Sequence, residues 1–430
     1  MILHSGAEDN PMATASWAWM GDHWKSARYN LSNGSTFGGG WMKQLLVNGQ
    51  IFNGEEILAK REVLLDDGLI AEVRLASRPF GDKAGEDLSI VDLGGGLLAP
   101  GFIDCQVNGG GGVMFNDGPD VAAIKCIIQS HRAFGTTGLL PTLITTDAAT
   151  MAAAAQAVAT ARGDHLPGLL GVHFEGPFLN SAKKGAHDDG QIRPWDDGVL
   201  DLLTRGDLGV VVLTLAPEVV PPGIIRRLSA AGIRVCAGHC APDNGQIAAA
   251  LDEGLAGFTH LFNAMPPLTS REPGIVGAAL VDDATWCGII VDGHHVDPTT
   301  LRIAVAAKAP GRMILVTDAM AGVGAGMGED ATSFQLSGQT VTVKDGRCTL
   351  PDGTLAGSNL DMAGAVRNAH HLLDLPLEEA LRMASLYPAG FLGMDDVRGR
   401  IRDGYCADLV LLDDDLAVTR TWVGGHMAIH

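Results

Sequence analysis

Four polar residues close four separate apolar runs in this chain. Glu175 ends Val172-His173-Phe174-Glu175-Gly176-Pro177, His239 ends Ala237-Gly238-His239-Cys240, His260 lies in Thr259-His260-Leu261-Phe262-Asn263, and Asp318 follows Val316-Thr317. A fifth run leads into Asp292-Gly293-His294-His295. One carboxylate with two imidazoles is a ligand set for a divalent ion such as zinc, with positions left open for water. An aspartate beyond them is placed to carry a proton. Each residue has a plainer reading when taken singly. A lone histidine in an apolar run is more often a hydrogen-bonded core residue, and His173, inside its run, is read as structural or as a support behind the ligands. Cys236, His239 and Cys240 could form a thiolate site, but the spacing is not Cys-x-x-Cys, so both cysteines are read as small buried residues. His4, His23, His426 and His430 are near the termini and read as solvated; His370-His371 lies in a helical stretch and reads as surface. What lifts Glu175, His239, His260 and Asp318 above these readings is their coincidence at four strand ends.

Those strands must share one rim. Eight apolar strand candidates cover 98–107, 138–144, 169–174, 210–216, 233–237, 257–261, 287–291 and 314–317. Helical patterns follow most of them. Val121, Ile124, Ile128 and His131 recur at helical spacing before Gly135, residues 151–161 are alanine-rich, and Asp297-Pro298 opens a helix expected to end near Gly311. Near-continuous apolar strands imply burial on both faces, as in a parallel sheet. Eight β/α units predict a (β/α)8 TIM-like barrel, in which chemistry gathers at the C-terminal ends of the strands. An open doubly wound sheet competes, but no Gly-x-Gly-x-x-Gly follows the first strand. Outside the barrel, Asn48-Gly49, Asn53-Gly54 and Asp67-Gly68 are turn pairs between short apolar runs. Near the other end, Ala407-Asp408-Leu409-Val410-Leu411-Leu412 and Thr419-Arg420-Thr421-Trp422-Val423 read as strands around an acidic turn. The two β-rich ends, 42–98 and 396–430, predict a small β-sandwich domain beside a barrel over 99–395. Residues 1–41 hold four of the seven tryptophans without a sustained period, and read as a poorly ordered extension or an upstream start that is not the natural one.

Composition narrows the function classes. Lys plus Arg is 30 against 50 Asp plus Glu, a formal charge of −20, so no basic surplus exists to neutralise nucleic-acid phosphates. A single local arginine could still clamp an anionic substrate. The 46% hydrophobic content suits a large core and excludes a disordered chain. No apolar run reaches the roughly 18 residues of a membrane span. Seven cysteines without framework spacing, and no export signal after Met1, lead to the expectation of reduced thiols in the cytoplasm.

The motifs resemble those of the N-acetylglucosamine-6-phosphate deacetylases of the amidohydrolase superfamily, over 42–430, or 389 of 430 residues. They are Pro100-Gly101-Phe102-Ile103-Asp104, Gln106-Val107-Asn108-Gly109, Pro141-Thr142-Leu143, His173-Phe174-Glu175-Gly176-Pro177-Phe178 and Lys183-Lys184-Gly185-Ala186-His187. Leu215-Ala216-Pro217-Glu218, Ala237-Gly238-His239, Thr259-His260-Leu261-Phe262-Asn263-Ala264-Met265, Arg271-Glu272-Pro273-Gly274, Asp292-Gly293-His294-His295-Val296-Asp297 and Val316-Thr317-Asp318-Ala319 continue the series. The resemblance implies Glu175, His239 and His260 as metal ligands, Asp318 as general acid/base and His295 as the group polarising the acetyl carbonyl. It implies Asn263, Ala264 and Arg271 for the phosphate, with the arginine reaching in from the other subunit of a homodimer. Ala186, His187, Leu355, Ala356 and Gly357 would line the sugar. Where many superfamily members carry His-x-His and two metals, this chain has Gln106 and Asn108. Neutral amides are poor ligands for a zinc-like ion, so one divalent metal per subunit is expected, zinc first, with iron, cobalt or manganese as alternatives. The implied activity is hydrolysis of N-acetyl-D-glucosamine 6-phosphate to D-glucosamine 6-phosphate and acetate. The rivals are deacetylation of the galactosamine epimer, another amidohydrolase activity, and a catalytically silent scaffold; no ligand or acid/base position is lost here, which counts against the last.

Overall fold

Eight parallel strands form the centre of the molecule: Phe102–Val107 (β1), Thr136–Ile144 (β2), Gly171–Glu175 (β3), Val210–Leu215 (β4), Arg234–Ala237 (β5), Gly257–Phe258 (β6), Trp286–Ile289 (β7) and Met313–Leu315 (β8). The computed structural model describes residues 43–76, 88–325 and 332–430, so the expectations for 1–41 lie outside the described residues. The strands pair in chain order from β1 to β8. A parallel bridge between Val107 and Ala319 brings the last strand end back to the first. The result is the (β/α)8 TIM-like barrel anticipated from the apolar runs. Helices Val121–Arg132 (α1), Ala148–Gly163 (α2), Gly198–Leu203 (α3), Ile224–Ala230 (α4), Asn244–Asp252 (α5), Gly274–Val281 (α6), Pro298–Ala307 (α7) and Met362–His371 (α8) follow the strands in turn.

Local chemistry sets where these helices begin. Asp120, Asp147, Asp243 and Asp297 each accept a main-chain N–H of the first turn, and Asp243 with Gln246 completes a capping box. Helix α7 starts at Pro298 as expected but stops at Ala307, short of Gly311. Pro310 disfavours helical backbone at the residue before it. Lys308 instead turns inward, and its ammonium donates to the Ala279 carbonyl at the end of α6 (2.6 Å).

Two other expectations change. The single strand candidate 98–107 is two strands in different sheets, Leu97–Pro100 and β1. Gly101 makes the transfer: its N–H donates to Asp408 O, the Phe102 N–H donates to Gly135 O, and a Cβ at Gly101 would lie 2.1 Å from Thr137 Oγ1. Asn48-Gly49 is no hairpin turn either. It lies inside strand Lys43–Phe52, at an irregularity in the pairing with Ile57–Asp66, with Asn48 at φ 59. Asp67-Gly68 does turn the chain, with φ of 50 and 75, as a two-residue hairpin loop requires.

Strands from both ends of the described chain share one eight-stranded sheet. Leu97–Pro100 pairs with Lys43–Phe52 on one side and with Leu409–Leu412 on the other. Leu46, Ile51, Val63, Leu98, Leu409 and Trp422 are buried together in its core. A separate four-stranded antiparallel sheet, Thr332–Leu336, Gln339–Lys344, Arg347–Thr349 and Leu355–Ser358, is inserted between β8 and α8. It buries Phe334, Leu336, Val341 and Ala356 against Met114, Ile144 and Met320 near the barrel rim. Among the described residues no helix is long and apolar enough to cross a membrane.

Candidate active site

The strands β4, β6, β7 and β8 stop one to three residues short of their apolar runs, and His239, His260 and Asp318 stand just past the ends of β5, β6 and β8. His239, His260 and Asp318 have φ of 48, 29 and 52. Left-handed backbone at non-glycine residues is strained and persists where the surroundings over-determine it. It turns these three side chains away from the strand direction and over the barrel mouth, where they meet Glu175, the last residue of β3.

Glu175 Oε1 lies 3.0 Å from His260 Nε2 and 3.3 Å from His239 Nε2, and the two nitrogens are 3.1 Å apart. His239 Nδ1 donates to the Lys183 carbonyl at 2.9 Å, which leaves the lone pair on Nε2. The His260 Nδ1 is buried without a partner among the described residues, so its working nitrogen is also Nε2. Three acceptor atoms this close need a cation, or a shared proton, among them. The donor set therefore fits a divalent ion held by Glu175, His239 and His260. Burial alone would raise the Glu175 carboxyl, but the bonds and charge of the two imidazoles outweigh it and hold the group well below its ordinary value. Burial opposes charge on His260 as well; its bond to Glu175 wins and raises it.

His187 joins this group. Its ligand nitrogen, a Glu175 oxygen and a His239 nitrogen lie within 4.8 Å of one another, and its ring stands edge-on to His239 at 4.3 Å. The Thr145 main-chain N–H donates to His187 Nδ1 at 3.3 Å, which leaves Nε2 as a proton donor rather than a ligand. His260, whose nitrogen is nearer to Glu175, is the better third ligand. Burial and the neighbouring His239 push His187 well below an ordinary histidine, so it is neutral.

Asp318 is 9% exposed. Burial, then the nearby Glu175 charge, raises its carboxyl above the usual range. Its Oδ1 accepts from Asn108 Nδ2 at 2.7 Å and from Gln106 Nε2 at 3.0 Å. Gln106 Nε2 also faces both Glu175 oxygens at 3.2 Å. In the sequence these amides read only as poor metal ligands; their position at the end of β1, beside the end of β8, is the signal for more. Asp292, too, gains a role only in the structure. Its Oδ1 accepts the His294 and His295 main-chain N–H groups and its Oδ2 faces His295 Nδ1 at 2.6 Å, which fixes that ring.

A cavity of about 370 Å³ gathers most of the expected residues. Glu175, His187, His239, His260, His295 and Asp318 line it, with Asn263 and Ala264 from the loop after β6. Ala186, Leu355, Ala356 and Gly357 supply further wall, the last three from the inserted sheet. Arg271 is exposed and is not among the lining residues of its own chain. His173 lies beneath, buried, with Nδ1 facing Cys105 O (3.1 Å) and Nε2 facing Thr214 Oγ1 (2.8 Å), a support as expected. Burial pushes the Cys236 thiol up to about 12 and Cys240 well above its ordinary value, and among the described residues neither joins His239 in the metal-capable group.

A parallel barrel with a carboxylate, two imidazoles and an aspartate at its C-terminal rim defines the class of metal-assisted hydrolases. The chain belongs to the amidohydrolase family, whose model matches residues 97–428. It is 47% identical over 337 residues to an N-acetylgalactosamine-6-phosphate deacetylase of Shewanella sp. (strain ANA-3), covering 78% of this chain and 84% of that one. It is 35% identical over 386 residues to the N-acetylglucosamine-6-phosphate deacetylase of Haemophilus influenzae, covering 89% and 99%. The crystal structure of N-acetylglucosamine-6-phosphate deacetylase from Pasteurella multocida superposes with a TM-score of 0.84 at 35% identity, covering 90% of this chain and all of that one.

Proposed function

We propose that this chain hydrolyses the acetamide of N-acetyl-D-glucosamine 6-phosphate, releasing D-glucosamine 6-phosphate and acetate in amino-sugar breakdown. The carrying observation is the convergence of Glu175, His239 and His260 beside Asp318 in one cavity, in a chain so similar to deacetylases of that kind. One divalent ion per chain is held by Glu175, His239 and His260. Zinc suits the mixed nitrogen and oxygen donors first; iron, cobalt and manganese are the alternatives. Bound there, the ion supplies Lewis acidity that activates a water and polarises the acetyl carbonyl.

The remaining steps belong to the chain. Asp318 takes a proton as the water attacks and returns it to the sugar nitrogen, because an amide anion is too basic to leave. His295, steadied by Asp292, and His187, steadied by Thr145, are the imidazoles available to donate to the acetyl oxygen. Asn263 and the main chain of Ala264 meet the phosphate. Arg271 closes on it from the second subunit of a homodimer, as a guanidinium binds phosphate bidentately. Ala186, Leu355, Ala356 and Gly357 flank the sugar. The enzyme is placed in the cytoplasm, with the barrel over 99–395 as its catalytic body and the two end segments as the accompanying β domain.

The galactosamine epimer is the second reading, favoured by the 47% identity to a deacetylase of that sugar phosphate. Side-by-side kinetics on the two sugar phosphates, with metal analysis of the same preparation, separate them. The expected result is one equivalent of ion per active chain and the larger kcat/KM on the glucosamine substrate. A larger value on the galactosamine substrate moves the assignment to the epimer, and inactivity on both removes it.

A further inference from the structure

We propose that Gln106 and Asn108 are positioning residues that hold Asp318 by one carboxylate oxygen, so that the other oxygen alone meets the reacting groups. This rests on the deacetylase reading above. Both amide nitrogens converge on Oδ1, at 3.0 and 2.7 Å, and no hydrogen bond from the described residues reaches Oδ2. A carboxylate on a short side chain can exchange its two oxygens by rotating about its last bond. Two donors on one oxygen fix the plane of the group, because a partial turn would take from Asn108 Nδ2 its acceptor among the described residues and from Gln106 Nε2 its nearest one. Gln106 is 2% exposed and Asn108 is 1% exposed, so bulk water has little access to their amide groups.

The main chain fixes the same register. Asp318 N–H donates to Gln106 O at 3.0 Å, Asn108 N–H donates to Ala319 O at 2.8 Å, and Ser358 N–H donates to Asp318 O at 2.9 Å. The two amides and the aspartate are thus tied at backbone and side chain together, across the line where β1 meets β8. Asp104 strengthens that line: its carboxylate accepts from Gln106 N (3.2 Å), from Thr317 N (3.3 Å) and from Thr317 Oγ1 (2.5 Å).

The choice of amides has a chemical reason. An amide N–H donates a hydrogen bond but neither gives up nor takes on a proton near neutral pH. A lysine or arginine there would add a charge and oppose protonation of Asp318. A histidine would offer another proton site or another ligand. Glutamine and asparagine orient the carboxylate and leave its proton chemistry to its free oxygen. Gln106 does so while also touching Glu175, which couples the aspartate's orientation to that of the ligand carboxylate.

The test is a cycle in the full-length chain isolated with its metal. Asn108→Ala is the cleaner substitution, since only Gln106 also touches Glu175. On the sugar phosphate that the parent hydrolyses, kcat falls by about 10–100-fold, as for other supports of a catalytic group. KM stays within about threefold, and metal content and melting temperature stay at the parent's values. Asn108→Ser, which keeps a hydroxyl donor, recovers part of the loss. Gln106→Met gives a similar fall in kcat with weaker metal retention, and serves where an Asn108 variant does not fold. Placed in an Asp318→Asn background, Asn108→Ala changes the residual rate by less than about twofold, because what it positions is gone. An equal loss in both backgrounds, or parental kcat in both single variants, overturns the proposal. Since the parent is measured alongside, an inactive parent refutes the deacetylase reading, whereas an active parent with indifferent variants refutes the positioning role alone.

Discussion

Asp318 has two possible occupations, and one substitution separates them. As a turn residue it would contribute about 0.5–2 kcal/mol of stability and leave turnover largely intact when replaced. As the proton carrier it is needed twice per cycle. Asp318→Asn keeps the shape but can neither take a proton from water nor hand one to the leaving nitrogen. The expected fall in kcat is on the order of 10²–10⁴-fold, with metal retained. Rate, bound metal and melting temperature measured on one preparation decide it, and near-parental turnover would return Asp318 to a structural part. Glu175, His239, His260 and Asp318 were legible in the sequence because each is a polar residue where an apolar run gives out. Gln106 and Asn108 were not, since an amide at a strand end has no distinctive chemistry until its acceptor, 212 and 210 positions away, is known.

At the level of elements, order and type were readable while ends were not. The run 257–261 yields a strand of only two residues, Gly257–Phe258, because apolar character continues through Leu261 while the backbone turns over at His260. Hydropathy does not encode φ. Helix α1 shows the opposite case, a helical face read correctly down to its histidine. His131 is buried on that face, with Nε2 facing Gly109 O at 2.9 Å, and burial pushes it down to about 4. An unfolded histidine titrates near 6.5. Between those values the unfolded chain binds a proton that the folded chain does not, so stability must fall as the pH drops below about 6.5. From neutral pH to pH 5, this one residue should cost roughly 2 kcal/mol. His131→Gln keeps a donor for Gly109 O without titrating. Denaturant unfolding of both proteins at about pH 7 and pH 5 should show the parent losing more stability than the variant. Equal losses would mean that His131 is not held neutral.

For the whole molecule, the decisive residue is Arg271, exposed and absent from its own chain's cavity wall. If it completes the partner's site in a homodimer, two crippled chains can repair each other. Arg271→Ala should mainly raise KM for the sugar phosphate and spare kcat; Asp318→Asn should do the reverse. In a mixed dimer, one site combines an intact Asp318 with an intact Arg271 from across the interface. Co-expression should therefore restore activity at low substrate concentration beyond the sum of the separate variants. A merely additive rate would assign Arg271 elsewhere. The join between β1 and β8 has a further consequence, one of time. A nascent chain grows from its N-terminus, and its early parts begin to fold first. The proposed ligand residues are all present once residue 260 has been made, yet Asp318 comes 58 residues later, counting from 260 to 318. The inserted sheet that supplies cavity wall follows at Thr332–Leu336 through Leu355–Ser358. On the proposed roles, a chain emerging from the ribosome thus carries its three candidate ligand residues well before its candidate acid. If Asp318 is that acid, a chain that stops short of the eighth strand's end should be unable to spend substrate.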